Sequence, residues 1–160
     1  MRKKTALPWL WLSVVVIILD QLLKYWVVSH FQYHQLWPLL SFLNLTLAFN
    51  PGAAFSFLGS ASGWQIYFFS AISLLIAILF IVWLAQIPRG YHWRGLALSL
   101  IIGGAIGNFI DRVRLGYVID FVDFHLRGWH FATFNLADSA ICVGAFFLIL
   151  SLLFASESRP

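Results

Sequence analysis

Charged side chains are scarce in this sequence. Lys, Arg, Asp and Glu make up 10% of the 160 residues, whereas an ordinary soluble domain carries about 25%. None of the four occurs between residues 25 and 88, and 61% of the chain is hydrophobic. This composition excludes a soluble globular enzyme, a disordered chain and an ordinary nucleic-acid-binding protein. It predicts a polytopic membrane protein that forms a single unit over residues 1–160.

Several signatures of metal, disulfide and nucleophile chemistry are also missing. Cys142 is the only cysteine, so the chain cannot form an intramolecular disulfide. There is no HExxH motif, and His125 and His130 lack the helical spacing of zinc ligands. The segment GSASG at 59–63 has Ala61 where a serine nucleophile would stand. We therefore expect neither a metal nor a cofactor.

Apolar runs long enough to cross a bilayer are present. A spanning helix needs about 20 apolar residues, and the predicted spans are about 8–28, 64–87, 93–113 and 136–155. The basic start of the chain resembles a signal peptide. No convincing small-residue cleavage site follows it, so we interpret it as a retained first span. The connections 29–63 and 114–135 are too long to be simple turns.

The distribution of basic residues predicts the orientation of the bundle. Connection 29–63 contains no Lys or Arg, whereas basic residues precede span one, link spans two and three, and follow span four: Arg2, Lys3, Lys4, Arg89, Arg94 and Arg159. Arg112, Arg114 and Arg127 in or beside the other long connection weaken this asymmetry. The positive-inside rule still favours both termini in the cytoplasm and both long connections on the outer side.

Local patterns predict further detail in the connections and spans. Residues 44–49 partly alternate polar and apolar side chains, which indicates a short strand on the outer surface. Asn50-Pro51-Gly52 is typical of a turn, and 59–63 is a flexible lead into span two. The small residues at 103–107 predict a face on which another helix can approach closely.

Acidic residues are few, and their placement is informative. Five of the six acids are aspartates in or beside the predicted outer half of the bundle: Asp20, Asp111, Asp120, Asp123 and Asp138. An ionisable group at membrane depth is costly and is therefore a functional candidate. Asp20 and Lys24 are four residues apart on one helix face, so they can form a structural ion pair or contact substrate.

Two further polar groups allow both a structural and a functional interpretation. Asn108, Asp111 and Arg112 lie at the outer end of span three, where they can hold this span to a loop. Asn135 can cap span four, with Asp138 favoured by the helix dipole.

Asp120 interrupts an apolar stretch in the second long connection. If Asp120 and Asp138 met at an apolar boundary, one would hold a proton and the other would be ionised, as in aspartic proteases. Their spacing alone leaves open whether they meet.

Five segments together resemble the bacterial lipoprotein signal peptidase family, also called signal peptidase II. They are DQLLK at 20–24, FNPGAAFSFL at 49–58, GGAIGNFIDR at 103–112, VIDFVDF at 118–124 and FNLADSAI at 134–141. The resemblance implies an all-α integral membrane protein with four transmembrane helices. It also implies a small β-cradle and a mobile flap on the outer, periplasmic side of the bacterial inner membrane.

The same resemblance implies the activity and the site. It predicts an aspartic endopeptidase that cleaves diacylglyceryl-modified prolipoproteins before the lipidated cysteine, with Asp120 and Asp138 as the catalytic pair. The supporting positions that carry over are Asp20, Lys24, Asn50, Gly52, Asn108, Asp111, Arg112, Asn135 and Ala137. Asp123 carries no such role and is expected to be a surface acid. We expect a monomer whose partners are prolipoproteins and membrane lipid, not nucleic acid.

A different class of function remains as an alternative. Asp20, Lys24 and Asp120 could form the ion relay of a small transporter or channel subunit. The sequence disfavours this alternative, because the acids cluster near one boundary and no polar residues mark a path through the inner half.

Overall fold

The computed structural model describes residues 5–52 and 62–154 of the chain. After a short 3-10 helix (Leu7–Trp9), the elements in chain order are α1 (Leu10–His30), β1 (Trp37–Leu40), β2 (Leu43–Asn50), α2 (Trp64–Gln86), α3 (His92–Leu115), β3 (Val118–Leu126), β4 (Trp129–His130) and α4 (Leu136–Leu153). The four α-helices of these ranges are long and apolar enough to cross a membrane. They confirm the four predicted spans; residue 155, the predicted end of the last span, lies outside the described residues.

Helix α3 lies at the centre of the bundle and packs against α1, α2 and α4. Its glycines allow this close approach, as predicted for the small-residue face. A Cβ on Gly104 would overlap the carbonyl oxygen of Ala137 in α4, and one on Gly103 would lie 2.8 Å from Cβ of Val16 in α1. The reciprocal contact comes from α4, where a Cβ on Gly144 would lie 2.7 Å from an α3 carbonyl oxygen. Backbones this close gain packing energy that bulkier residues would prevent.

An antiparallel sheet in the order β1-β2-β3-β4 covers one end of the bundle. The strand predicted at 44–49 is confirmed within β2. The sheet packs on the C-terminal end of α1, where Val27 and Phe31, the residue after the helix, form a buried cluster with residues of β2 and β3: Leu47, Ile119 and Phe121. A fixed sheet at this end gives the adjoining strand β3 a defined position over the helices.

The second long connection is largely β-structure. Helix α3 ends at Leu115 and is capped by Gly116, whose φ of 81° lies in the left-handed region that glycine tolerates. β3 begins two residues later, and Asn50 of β2 pairs with Val118. After the short β4, the chain returns so that the backbones of Phe134 and Val122 bond to each other at 2.8 and 3.0 Å. This return brings the middle of β3 beside the start of α4.

The other end of the bundle holds the 3-10 helix and the link between α2 and α3. The amide of Ala6 donates to the carbonyl of Ile87 at 2.9 Å. The Trp9 ring stacks on Trp11 and meets His92 edge-on, with ring centroids 6.5 and 6.2 Å apart. Aromatic side chains of this kind are typical of the boundary between a membrane and water.

Candidate active site

Asp120 and Asp138 come from different elements and meet at one cavity. Asp120 is in β3, and Asp138 is in the first turn of α4. Both line a cavity of about 700 Å³ at the sheet end of the bundle. The other lining residues are Asn50, Arg112, Val118, Phe131, Ala132, Thr133, Phe134, Ser139, Ile141, Cys142 and Val143. The fold therefore places the two carboxyl groups at one mostly apolar site.

Hydrogen bonds fix the Asp120 carboxyl group on both of its oxygens. Asn135 Nδ2 donates to Oδ1 at 2.7 Å, and Asn50 Nδ2 donates to Oδ2 at 3.0 Å. The Asn50 side chain is itself oriented by Gly52, whose backbone amide donates to Asn50 Oδ1 at 3.0 Å. The turn predicted at 50–52 thus holds one of the two amides that orient Asp120.

Asp138 is fixed in the same way from the helix side. Asn108 Nδ2 donates to Oδ1 at 2.8 Å, and the backbone amide of Asn135 donates to Oδ2 at 3.2 Å. Asn135 Oδ1 accepts the Asp138 backbone amide at 2.9 Å, which completes a capping box. The predicted cap is confirmed, and the capping residues also form the site.

A buried lysine lies behind the two carboxyl groups. Lys24 is 2% exposed, and its Nζ is 2.8 Å from carboxylate oxygens of both Asp20 and Asp111. The predicted Asp20–Lys24 ion pair is confirmed and gains a second acid. Nζ also donates to Asn108 Oδ1 at 3.1 Å. Because Nζ can only donate, it turns the oxygen of Asn108 towards itself and leaves the Asn108 amide hydrogens for Asp138.

The two acids around Lys24 also hold the backbone that carries the carboxyl pair. Asp20 Oδ1 accepts the amide of Ala137 at 3.0 Å, next to Asp138. Asp111 Oδ2 accepts the amide of Ile119 at 3.2 Å, next to Asp120. Gln21, which sequence reasoning missed, donates to Asp111 Oδ1 at 2.9 Å. Its position in the sequence between Asp20 and Lys24 could have marked Gln21 as a candidate site residue.

Arg112 connects α3 to the loop after β2, as predicted. Its Nη2 donates to the carbonyl of Gly52 at 3.2 Å, and its guanidinium lies 5.7 Å from the centre of the Phe69 ring in α2. Among the described residues, the buried Nε of Arg112 has no hydrogen-bond partner. The predicted flap and the predicted lead at 59–63 fall mainly on residues 53–61, outside the described residues.

The environment of Asp120 disfavours its charged form. Burial in the apolar stretch, followed by the nearby charge of Asp138, raises the pKa of Asp120 to about 7. The hydrogen bonds from Asn50 and Asn135 lower it, but burial has the larger effect. Near neutral pH, Asp120 can therefore carry a proton while a second carboxyl group stands beside it.

The prediction that Asp123 is a surface acid is wrong. Asp123 is 3% exposed and accepts a hydrogen bond of 2.8 Å from Asn44 Nδ2. Both of its oxygens also lie 2.9 Å from Nδ1 of His130. Alternation along β3 is the signal that was missed, because it places Asp123 on the same face as the buried Ile119 and Phe121.

Among residues 5–52 and 62–154, no group of three or more His, Cys, Asp or Glu side chains is placed to hold a metal ion. The chemistry that the described part of this site offers is that of carboxyl groups and amides.

Comparison with known proteins identifies the family. The family model described as signal peptidase (SPase) II matches residues 12–154. The chain belongs to the signal peptidase II family. It is therefore a protease, and its apolar helices make it a multi-pass membrane protein. This confirms the resemblance and favours a peptidase over the ion-relay alternative.

Named relatives and solved structures agree with this membership. The chain is 58% identical to a lipoprotein signal peptidase of Coxiella burnetii (strain Dugway 5J108-111), over 99% of this chain and 98% of the relative. It is 50% identical to that of Yersinia enterocolitica, over 91% and 86%.

Two solved structures described as bacterial membrane enzymes have a similar fold. One is at 2.3 Å resolution, with a TM-score of 0.86 and 32% identity over 100% of this chain and 96% of the other. The second is at 1.9 Å, with a TM-score of 0.82 and 34% identity over 96% and 98%. The similarity extends over the sheet as well as the helices.

Proposed function

We propose that this signal peptidase II family member is an aspartic endopeptidase acting on diacylglyceryl-modified prolipoproteins. It removes the signal peptide by hydrolysing the peptide bond before the lipidated cysteine. The observation that carries this proposal is the convergence of Asp120 and Asp138 at one apolar cavity. The names of the relatives support prolipoproteins as the substrate class.

The two carboxyl groups have different environments, which supports different roles. Asp138 stands at the N-terminus of α4, where the helix dipole favours an anion. Asn108 links its carboxylate to the Lys24 cation. Asp120 has its pKa raised to about 7. We therefore assign the ionised carboxylate to Asp138 and the shared proton to Asp120.

Hydrolysis then follows from these protonation states. Asp138 takes a proton from a water molecule while the oxygen of that water bonds to the scissile carbonyl carbon. At the same time, Asp120 donates its proton to the carbonyl oxygen. The tetrahedral diol breaks its C–N bond when Asp138 returns the proton to the leaving amine of the cysteine. Asp120 recovers its proton from a diol hydroxyl as the new carboxyl group forms. Both groups end in their starting states.

The walls of the cavity fit an apolar substrate. Phe131, Phe134, Ile141 and Val143 line it, and Val143 is 46% exposed on the outside of α4. Such walls bury acyl chains and an apolar signal helix without directional bonds. The amides bonded to Asp120 and Asp138 keep these carboxyl groups in a fixed orientation towards the single peptide bond that must react.

Location and assembly complete the proposal. The distribution of basic residues favours both termini in the cytoplasm, and we therefore infer that the Asp120–Asp138 pair lies at the outer boundary of the bacterial inner membrane. There, water can reach the carboxyl groups while the dielectric constant is low enough to separate their proton affinities. We expect the monomer to carry the whole site, because one chain supplies both carboxyl groups and all the amides that hold them.

The substrate claim is tested with purified protein in lipid. A prolipoprotein is presented with and without the diacylglyceryl group on its cysteine, and mass spectrometry locates the cut. We expect cleavage of the lipidated form alone, with the modified cysteine as the new N-terminus. Equal cleavage of the unlipidated form, or a cut elsewhere, would reject the proposed specificity.

A further inference from the structure

Asp123 is a buried carboxylate that the proposed chemistry does not use. It lies three residues after Asp120 on β3, so the two side chains leave opposite faces of the strand. Asp120 lines the cavity, whereas Asp123 is on the face of the buried Phe121. Burying a carboxylate costs free energy unless partners compensate it. The partners of Asp123 therefore indicate what the burial achieves.

Those partners join three strands. Asn44 of β2 donates to Asp123 Oδ2 at 2.8 Å, and Nδ1 of His130 in β4 lies 2.9 Å from both oxygens. A carboxylate can only accept, so His130 Nδ1 carries the hydrogen. The Asp123 side chain is 4% exposed and that of His130 is 49% exposed. We call Asn44, Asp123 and His130 the clasp.

The hairpin that the clasp holds is weak by itself. β4 contains only two residues. It is joined to β3 by Arg127 and Gly128, both with positive φ (51° and 82°), and a non-glycine residue in that region is strained. A short two-stranded hairpin is marginally stable in water. We therefore expect the charge-assisted hydrogen bond between Asp123 and His130 to contribute much of the stability that fixes the position of this hairpin.

The hairpin leads directly into one wall of the cavity. His130 is followed by residues 131–134, all four of which line the cavity. The amide of Phe131 donates to the carbonyl of Phe124 at 2.8 Å, and that of Phe134 donates to Val122 at 3.0 Å. A shift of β4 would therefore displace the wall ahead of Phe134, while the two backbone bonds between Phe134 and Val122 keep the carboxyl pair in place.

We propose that the clasp positions residues 131–134 and thereby sets the affinity of the cavity for its substrate. The substrate named here rests on the proposed function. Asp123 and His130 are positioning residues, because neither lines the cavity. The ring of His125 stacks on that of His130, with the ring centroids 5.1 Å apart.

The kinetic test compares Asp123→Asn and His130→Phe with the wild type on a lipidated peptide. His130→Phe keeps the ring stack but removes the donor, and His125→Phe is the matched control on the same hairpin. The expected result is a KM raised about fivefold in both clasp variants, with kcat within about twofold of the wild type. Wild-type KM in these variants would overturn the proposal. So would a loss of kcat at constant KM, which is the result of a smaller folded fraction.

A second measurement does not depend on turnover. Amide hydrogen exchange over residues 131–134 is followed by mass spectrometry in the same variants, with α4 as the internal reference. Faster exchange in this segment alone is expected in Asp123→Asn, and unchanged exchange would overturn the clasp. If the wild type failed to cleave the lipidated peptide, the proposed function would be rejected. Amide hydrogen exchange would still test whether the clasp positions residues 131–134.

Discussion

Asn135 donates from Nδ2 to Oδ1 of Asp120 at 2.7 Å. The same side chain caps α4 by accepting the backbone amide of Asp138 at 2.9 Å. Asn135 therefore both caps α4 and positions the carboxyl group of Asp120. A substitution that preserves the cap and removes the amide can separate these two contributions.

Asn135→Ser is that substitution. Serine caps a helix about as well as asparagine, so this variant keeps the cap and loses only the Nδ2 donor. The lost Nδ2 donor stabilised the ionised form of Asp120, so the pKa of Asp120 should rise and the alkaline limb of the rate profile should move to higher pH. We expect kcat to fall about tenfold or more. Asn135→Ala, which also removes the cap, should reduce stability by about 1 kcal/mol in addition. A wild-type pH profile in Asn135→Ser would contradict this role.

The wild-type rate should depend on pH through Asp120. Its pKa is raised to about 7, and the mechanism needs this group protonated. Activity should therefore decline as pH rises through about 7 and also decline at low pH, when Asp138 takes up a proton. The profile of kcat/KM is measured with a substrate that has no group titrating in this range. A rate that keeps rising above pH 8 would exclude Asp120 as the acid.

The Lys24 cation should be needed for both stability and activity. Lys24→Met leaves Asp20 and Asp111 buried together without a counter-charge, which typically costs about 3–5 kcal/mol. The matched control adds Asp20→Asn and Asp111→Asn, which removes the unpaired charges. Thermal unfolding in detergent should show recovery of stability in this triple variant. Its activity should remain low, because Asn108 is no longer held by a cation; full activity would show that the cation has no role in the site.

Packing of α4 on α3 should be sensitive to one methyl group. Gly104→Ala would place Cβ against the carbonyl of Ala137, next to Asp138. Overpacking of this kind costs about 1–3 kcal/mol, and the displaced α4 should also lower kcat. Gly90→Ala is the control, because nothing lies within 4 Å of its added Cβ. Equal melting temperatures and rates for the two variants would mean that α3 and α4 can move apart without a loss of stability or activity.

The helices and their contacts follow closely from the sequence. Each span was visible as an apolar run, and the glycines at 103–107 predicted where α3 is approached. The Asp20–Lys24 spacing predicted an ion pair. These features depend on local periodicity, which sequence patterns report directly.

Contacts between distant segments could not be obtained in that way. Asp120 and Asp138 meet because Phe134 pairs with Val122, a long-range register that no local pattern specifies. The second acid around Lys24, Asp111, comes from another helix. Alternation along β3 could have indicated that Asp123 is buried, but its partner Asn44 is 79 residues away in the chain and could not be identified locally. For Asp120 and Asp138, the resemblance to a family suggested the pairing that their spacing left open.

The central claim is that Asp120 and Asp138 together perform the hydrolysis. The most direct test is the single-turnover rate of Asp120→Asn and Asp138→Asn on a diacylglyceryl-modified prolipoprotein, with and without a chelator. Asparagine preserves size and removes the acid. The account predicts that both folded variants lose nearly all activity while the wild type is indifferent to the chelator. Undiminished cleavage by either variant, or loss of wild-type cleavage on chelation, would contradict it.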